Sequence, residues 1–397
     1  MTTSHQDAAG CLAHGGGRWQ TRSLAASDRE AFELDRRFVT NPPGQRGGAL
    51  FNDSHWWWGI CDDYQVRINH RPPHTRPALQ YRWVPEGRGC QALRHGRGEL
   101  PPTEELADAF CSRYANKSVL FVGDSIQGQL FTTFAHMVGF VSRTVENFSN
   151  PCYKWKEEKG AHEIDVTARL CRADDRGVTA RFLRNEFLSI GKPRTRRFGR
   201  TLCDWWQAAS EADLLVLSFA YTASAHAIPP GMKASAARGD FIPSNDSIAF
   251  VLTELRRLLD QPENAGRRVV FRGLHSSYYN CSGMADPLVQ QVALASRAED
   301  SVFSFRRRND AFGWGQFRNW NEMARRVTAS LGVPFFDVFP ATSLRPGSHR
   351  IDRSYRRGIF IPGKMDCAHY CIPGAMRTWP YGPLILSPSS PAPLFVM

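Results

Sequence analysis

The sequence predicts an α/β protein: a three-layer α/β/α domain with a mainly parallel sheet. Four apolar runs have the length and continuity of strands buried on both faces. These runs are residues 118–122, 213–219, 268–271 and 334–339. Four segments with helical periodicity alternate with them, at 104–114, 126–138, 248–259 and 320–331. Strands alternating with helices at this spacing are typical of a parallel sheet covered by helices on both faces.

The rest of the chain is predicted to surround this domain. Gly15–Gly17 and Pro42-Pro43-Gly44 interrupt regular structure in a loosely ordered N-terminal region. A cysteine- and tryptophan-rich, irregular segment then wraps the domain. The four predicted regions are residues 1–48, the wrapping segment 49–100, the α/β domain 101–385 and a tail at 386–397.

Three polar stretches inside the α/β domain are predicted to be loops at the edge of the sheet. They are residues 141–211, 221–244 and 276–316. Such long connections are uncommon in a compact domain unless they have a function, so we expect them to contact the substrate.

Cysteines and glycosylation motifs favour the secretory pathway. The chain has 10 cysteines, without a CxxC pair or a zinc-finger spacing, which favours disulfides over metal binding. Asn-x-Ser motifs begin at Asn52, Asn116, Asn147, Asn245 and Asn280. The first 30 residues lack the apolar core of a signal peptide, and no run of about 18 apolar residues could span a membrane. We therefore expect a protein of the Golgi or secretory-pathway lumen, with a targeting segment that this chain does not contain.

Positive charge is concentrated in arginine clusters. The net charge is +12, and the clusters lie at 194–200, 306–308 and 356–357. They are either solvated loops or a surface that attracts an anionic partner such as an acidic polysaccharide or a phosphate-bearing acyl donor. No zinc finger, RRM or KH motif is present, so nucleic acid is not the expected partner.

The first chemical motif is Gly123-Asp124-Ser125, at the carboxyl end of the first predicted strand. Sites in open α/β sheets form at such strand ends. The backbone N–H groups at the start of the following helix could stabilise an oxyanion, and Gly123 leaves room for a substrate. On its own, this tripeptide could equally be an ordinary capped helix start.

The second motif is the segment 366–374, which contains Asp366 and His369. A serine hydroxyl needs a base such as imidazole to take its proton, and the imidazole needs a carboxylate to orient it and to stabilise its charged form. An Asp and a His three residues apart in one turn could supply both groups. We therefore predict a triad in which Ser125 is the nucleophile, His369 the base and Asp366 the orienting carboxylate.

Taken together, the two motifs resemble the PC-esterase branch of the GDSL/SGNH hydrolase-like superfamily, which includes the trichome-birefringence-like polysaccharide O-acetyltransferases. That branch has a Gly-Asp-Ser block and, over two hundred residues later, an Asp-Cys-x-His-Trp-Cys-Leu-Pro-Gly block. Here the second block is Asp366-Cys367-Ala368-His369-Tyr370-Cys371-Ile372-Pro373-Gly374. An N-terminal segment with Tyr81-Arg82-Trp83-Val84-Pro85 and Cys90 also resembles the family, as do 213–218 and Phe271-Arg272.

The resemblance implies a lumenal SGNH-like enzyme with several disulfides that moves an acetyl group onto a sugar hydroxyl through an acyl-serine. It assigns the catalytic roles to Ser125, His369 and Asp366, and gives the Ser125 N–H to the oxyanion hole. No bound cofactor or metal is expected. An acetyl donor, for which acetyl-CoA is a candidate, would be a co-substrate, and the acceptor would be a polysaccharide or glycan.

The chain departs from the family pattern at several positions. Gly128 stands where the family often has an arginine, and Ser218 where the superfamily often has an asparagine that donates to the oxyanion. Tyr370 replaces a tryptophan and Arg377 an aspartate. These changes leave the triad intact but leave the substrate open. A carbohydrate acyl-esterase with the same triad, or a glycan-binding relative without catalysis, are the alternatives.

His275, Trp205-Trp206 and Trp56–Trp58 have two readings each. His275 follows the third predicted strand and could line the site, but a structural role is the simpler interpretation. The tryptophan runs could stack on sugars, but packing is the simpler interpretation for them as well.

Overall fold

The computed structural model describes part of the chain, chiefly the central domain. The described residues are 17–21, 81–86, 103–144, 165–171, 177–185, 188, 205–218, 253, 256–257, 260, 267–275, 317–343, 349–351, 355–356, 359–360 and 365–370. The predicted helix at 248–259 lies mostly outside these ranges. So do Trp56–Trp58, most of the wrapping segment and the loops predicted at 221–244 and 276–316.

Two short strands precede the central domain. Strand β1 (Gly17–Thr21) pairs antiparallel with β2 (Tyr81–Pro85). The predicted loosely ordered region therefore contains one strand, and the predicted wrapping segment contains its partner.

The central domain contains the remaining helices and strands of the described residues. In chain order they are α1 (Thr103–Arg113), β3 (Ser118–Gly123), α2 (Ser125–Val138), β4 (Phe140–Thr144), β5 (Asp165–Leu170), β6 (Val178–Arg184), α3 (Trp206–Glu211), β7 (Leu214–Leu217), β8 (Arg268–Arg272), α4 (Phe317–Ser330), β9 (Phe335–Phe336), α5 (Phe339–Ser343), β10 (His349–Ile351), β11 (Tyr355–Arg356), β12 (Ile359–Phe360) and β13 (Met365–Tyr370).

A seven-stranded sheet in the order β4-β5-β6-β3-β7-β8-β9 forms the middle of the domain. Strand β3 lies at its centre and pairs in parallel with β6 on one side and β7 on the other. Strands β8 and β9 continue the parallel part. The predicted fold class is confirmed: an α/β domain with a mainly parallel sheet. All five parallel strands end at the same edge, and residues at the ends of β3, β7 and β8 contribute to the site described below.

The prediction that residues 141–211 form a loop at the sheet edge is wrong for a large part of that stretch. Strands β5 and β6 lie within it and β4 overlaps its start, and β4-β5-β6 pair antiparallel. In β6, the buried side chains of Val178, Ala180 and Phe182 alternate with more exposed ones. An edge region with this alternation lacks the continuous apolar runs that identified the parallel strands.

Helix α2, which carries Ser125 at its first position, is buried at every position whose side chain the structure describes. Ile126, Leu130, Phe131 and Phe134 have no solvent exposure. Its polar side chains, Gln127 and Gln129 among them, are buried as well, so the helix lies within the protein core. The residues of its first turns are therefore held rigidly.

A disulfide joins Cys111 of α1 to Cys171 at the end of β5. It closes a loop of 60 residues that includes β3, α2 and β4. A cross-link over a loop of this length stabilises a fold by about 2–4 kcal/mol. This bond agrees with the expectation of disulfides; the predicted irregular regions that hold most other cysteines lie outside the described residues.

Asp337 follows the last parallel strand, β9, and accepts a hydrogen bond from the Phe339 N–H at 3.0 Å, at the start of α5. Burial raises the pKa of Asp337 to about 7, and this effect exceeds the lowering by the Phe339 N–H and by Arg325. The folded state therefore holds the proton more tightly than the unfolded state, whose carboxyl has the ordinary pKa of 3.8.

We predict that Asp337 makes stability depend on pH. The contribution of Asp337 to the free energy of unfolding is fully present below about pH 4. It is lost as the pH rises through about 7, because the folded state must then hold a half-buried carboxylate. Denaturant unfolding of the wild type and of Asp337→Asn across this range should show the wild type losing stability relative to the variant. Parallel stability curves for the two proteins would contradict the prediction.

Candidate active site

The turn between β3 and α2 presents Ser125 at the carboxyl edge of the sheet. Asp124 caps the helix: its Oδ1 accepts the Gln127 N–H at 3.0 Å, and its carbonyl accepts the Gly128 N–H at 3.1 Å. Ser125 is therefore the first helical residue, and the N–H groups of the first turn point toward the sheet edge. Only 4% of Ser125 is exposed. A helix N-terminus here favours negative charge next to the hydroxyl.

Gly123 is required by close packing at this turn. A β-carbon on Gly123 would lie 2.9 Å from the Ser218 carbonyl oxygen and 2.6 Å from Cβ of Gln127. Any side chain would force the ends of β3 and β7 apart, and would thereby move Ser125.

His369 meets Ser125 across a separation of 244 residues. The Ser125 Oγ lies 2.8 Å from the His369 Nε2, and both side chains are buried. In the tautomer that carries its proton on Nδ1, the imidazole accepts the hydroxyl proton of Ser125 at Nε2. This is the arrangement that a general base and its nucleophile need.

A bulge in β13 carries His369. Tyr370 pairs with His349 of β10, and Asp366 pairs with Arg350, the next residue along β10. Residues 367–369 therefore bulge out of β13, because no residue of β10 pairs with them. Bulges of this kind redirect side chains near active sites. The sequence analysis expected a turn for Asp366 and His369; the structure places both on one irregular strand.

The helix that carries Ser125 also holds the backbone next to His369. The Gln129 Nε2 donates to the Tyr370 carbonyl at 2.8 Å, and the Tyr370 N–H donates to the Gln129 Oε1 at 3.2 Å. Both residues have no solvent exposure. The side-chain amide thus pairs with the Tyr370 backbone as a neighbouring strand would.

Beneath Ser125, Arg272 connects the ends of β3, β7 and β8. Its Nε donates to the Gln127 Oε1 at 2.8 Å, and an Nη donates to the Ser218 Oγ at 2.7 Å. The same guanidinium lies 3.9 Å from the Asp124 carboxylate. Burial lowers the pKa of Arg272 to about 10, while Asp124 and then Tyr370 raise it, so the side chain stays cationic at neutral pH.

Ser218 lies at the end of β7, beside the turn that holds Ser125. Its N–H donates to the Val122 carbonyl at 3.0 Å, and the residue is fully buried. Because Arg272 donates to its Oγ, the Ser218 hydroxyl must direct its own proton elsewhere. Donation from a cation also polarises that hydroxyl, which strengthens it as a donor.

His275 and the adjacent tryptophans have packing contacts. The His275 ring makes edge contacts with Phe317 and Tyr370, with centroids 6.0 and 5.5 Å away, and has no exposure. Trp205 is fully buried and contacts Trp206 edge-on. These positions favour the packing interpretation for His275 and for Trp205-Trp206. His275 packs against Tyr370, the residue that follows His369.

The side chain of Asp366 lies outside the described part of the chain, so its place in the triad stays a prediction. Sequence reasoning gave no role to Gln127 or Gln129, and noted Arg272 only within a family block. A signal for them did exist: two amides occur in a helix that carries no charged Asp, Glu, Lys or Arg, and one arginine ends a strand with an apolar centre. Buried polar groups of this kind are normally hydrogen-bonded, often near a site.

Two properties of the described residues bear on the predicted partners. No helix among them is long and apolar enough to cross a membrane. Within the same ranges, no group of three or more His, Cys, Asp or Glu side chains could hold a metal ion.

The central parallel sheet, with a buried serine at the end of its middle strand and a histidine against it, defines an SGNH-like α/β domain. Residues 106–381 match the family model described as PC-Esterase, the GDSL/SGNH-like acyl-esterase family found in Pmr5 and Cas1p. Because the match covers more than half of the chain, the protein belongs to the PC-esterase family. No curated protein sequence matches the chain significantly. An acyl-transfer or esterase-type function follows at the level of the family.

Proposed function

We propose that this protein is an O-acetyltransferase that moves an acetyl group onto a hydroxyl of a polysaccharide or glycan through an acyl-serine intermediate. The observation that carries the proposal is the 2.8 Å contact between the Ser125 Oγ and the His369 Nε2. A separation far beyond hydrogen-bond reach would have favoured a glycan-binding relative without catalysis, and the observed distance weighs against that alternative.

The first half-reaction transfers the acetyl group to the enzyme. The Ser125 Oγ attacks the acetyl carbonyl carbon while His369 takes the hydroxyl proton at Nε2. The carbonyl oxygen becomes an oxyanion, for which the Ser125 N–H and the Ser218 hydroxyl are the proposed donors. When the tetrahedral intermediate collapses, the bond to the donor's leaving group breaks and that group takes the proton from His369. Asp366 is the proposed partner that stabilises the imidazolium.

The second half-reaction transfers the acetyl group to the acceptor. His369 takes the proton of a sugar hydroxyl, and the sugar oxygen attacks the acyl-serine carbonyl. The ester bond to Ser125 breaks, and its Oγ takes the proton back from His369. Water in the place of the sugar would release acetate, so a carbohydrate acyl-esterase is the second candidate, favoured by the description of the family.

A labelled acetyl donor distinguishes these outcomes. The protein is incubated with acetyl-CoA labelled in the acetyl group, or with a labelled aryl acetate, in the presence of candidate polysaccharides. Label in the polysaccharide would support the transferase, and label released as acetate would support the esterase. Label in neither product, with none on the protein, would support a non-catalytic relative.

The proposed lumenal location predicts N-linked glycosylation at Asn116. This residue is exposed in the turn between α1 and β3, at the opposite end of β3 from Ser125. A six-residue strand is about 20 Å long, so a glycan there would leave the site open. Expression through a eukaryotic secretory pathway, followed by enzymatic deglycosylation and peptide mapping, should detect the glycan at Asn116.

Asn116→Gly is the matched control for this test. The backbone of Asn116 has a φ of 58°, which glycine adopts without strain, so the variant removes the glycan acceptor alone. Ser118 is less suitable, because its Oγ donates to the Glu211 carbonyl at 2.9 Å. An unmodified Asn116 in protein that carries glycans at other sites would contradict the assignment. A complete lack of glycans would contradict the lumenal location.

A further inference from the structure

We infer that Gln129 is a positioning residue for the proposed reaction: its side-chain amide holds the backbone beside His369 so that the imidazole stays against Ser125. This inference rests on the proposed function, since it assigns a role relative to the proposed base. It adds a residue outside the proposed triad and oxyanion donors.

The geometry of α2 makes Gln129 suited to this role. Gln129 is four residues after Ser125, so the two side chains lie on one face of the helix, one turn apart. Ser125 contacts the His369 ring, and Gln129 binds both backbone groups of Tyr370, the next residue. One rigid, buried helix thus fixes the nucleophile and the segment that carries the imidazole.

The irregular pairing of β13 explains why such a support is needed. The register of β10 advances by one residue where β13 advances by four, from Asp366 to Tyr370. The pairing between β10 and β13 therefore does not support the bulge that contains His369. At the end of the bulge, the Gln129 amide supplies a donor and an acceptor on the side of Tyr370 that faces α2.

The contact also has a chemical consequence. A displacement of about 1 Å at a reacting group can lower a rate by about 10²-fold. Without the amide, the segment that carries His369 would lose its two hydrogen bonds to α2, and the Nε2 would be held less firmly at 2.8 Å from the Ser125 Oγ. Loss of Gln129 should therefore reduce the rate constant for bond formation at Ser125 while the affinity for the reagent changes little.

A double-mutant cycle tests the inference. The rate of covalent labelling of Ser125 by a fluorophosphonate is measured in the wild type, Gln129→Met, His369→Ala and the double variant. Imidazole is added to the His369→Ala proteins as a free base, and the temperature is kept below the unfolding transition of all four. We expect Gln129→Met to slow labelling by about 10²-fold in the wild-type background. In the His369→Ala background we expect little further loss, because no tethered imidazole remains to be positioned.

Two further variants complete the design. Gln129→Glu keeps an acceptor for the Tyr370 N–H but loses the donor to the Tyr370 carbonyl. It should therefore also slow labelling. If Gln129→Met does not fold, Gln129→Glu takes its place in the cycle. Gln207→Met makes the same substitution at an exposed position of α3 and should label at the wild-type rate. Dividing each rate by the fraction of folded protein removes a purely structural effect.

Each result has a definite meaning. Equal losses in both backgrounds, or no loss in either, would overturn the positioning role of Gln129. If His369→Ala slows labelling strongly but the Gln129 variants do not, the positioning inference alone fails. If His369→Ala labels as fast as the wild type when no imidazole is added, the proposed function itself fails, because His369 is then not the base.

Discussion

Ser125→Ala is expected to prevent formation of the acyl-enzyme and to slow acyl transfer by at least about 10⁴-fold. The Ser125 Oγ lies 2.8 Å from the His369 Nε2, so its removal takes away the hydroxyl that the proposed base would activate. Alanine at the first position of α2 is compatible with the helix, so the loss should be chemical and not structural. Intact-protein mass spectrometry after a brief exposure to an aryl acetate should show one added acetyl group on the wild type and none on the variant.

The control for this experiment is Ser112→Ala, which removes a hydroxyl from an exposed position of α1. It should form the acyl-enzyme at the wild-type rate. Peptide mapping of the acetylated wild type should place the group on Ser125. Acetylation that persists in Ser125→Ala, at a different residue and with undiminished transfer, would exclude the acyl-serine mechanism.

Arg272→Met should destabilise the protein by about 3–5 kcal/mol, the usual cost of removing one partner from a buried ion pair. The Asp124 carboxylate, 3.9 Å away, would lose its buried counter-charge. The Ser218 Oγ and the Gln127 Oε1 would each lose a donor. Denaturant unfolding of the wild type and the variant at one pH measures the difference in the free energy of unfolding.

Arg268→Met is the matched control, because Arg268 begins the same strand and is only partly buried. Its cost should remain below about 1 kcal/mol, in the range of surface substitutions and exposed ion pairs. Adding Asp124→Asn to Arg272→Met should recover part of the loss, because no buried charge then remains unpaired. Equal stability of Arg272→Met and the wild type would show that the buried cation is dispensable.

Four of the five parallel strands, β3, β7, β8 and β9, could be predicted because burial on both faces leaves continuous apolar runs in the sequence. The predicted boundaries of β3 and α2 agree with the structure to within one residue at each end. The position of Ser125 at the start of a helix was therefore predicted as well. Strands β4, β5 and β6 were missed because polar residues interrupt their apolar ones, as at Thr167 and Arg169 in β5, and the sequence analysis took the stretch for a polar loop.

The candidate site was predictable only where side-chain chemistry points to a reaction. Ser125 and His369 carry such chemistry, and the structure brings them into contact. Gln129 and Arg272 do not, because their roles depend on which backbone or side-chain groups lie opposite them once the chain has folded. No local pattern specifies those partners, and a register shift in β13 could not be predicted from propensities.

The distance along the chain between the hydroxyl and the imidazole affects how the protein matures. The two groups are 244 residues apart, and translation at about 5–20 residues per second needs roughly 12–50 s to make the intervening chain. During that time the ribosome-bound polypeptide holds the proposed nucleophile without its proposed base. Under the proposed mechanism, the capacity for acylation therefore arises late in synthesis, and we expect a product truncated before residue 369 to be inert toward acyl donors.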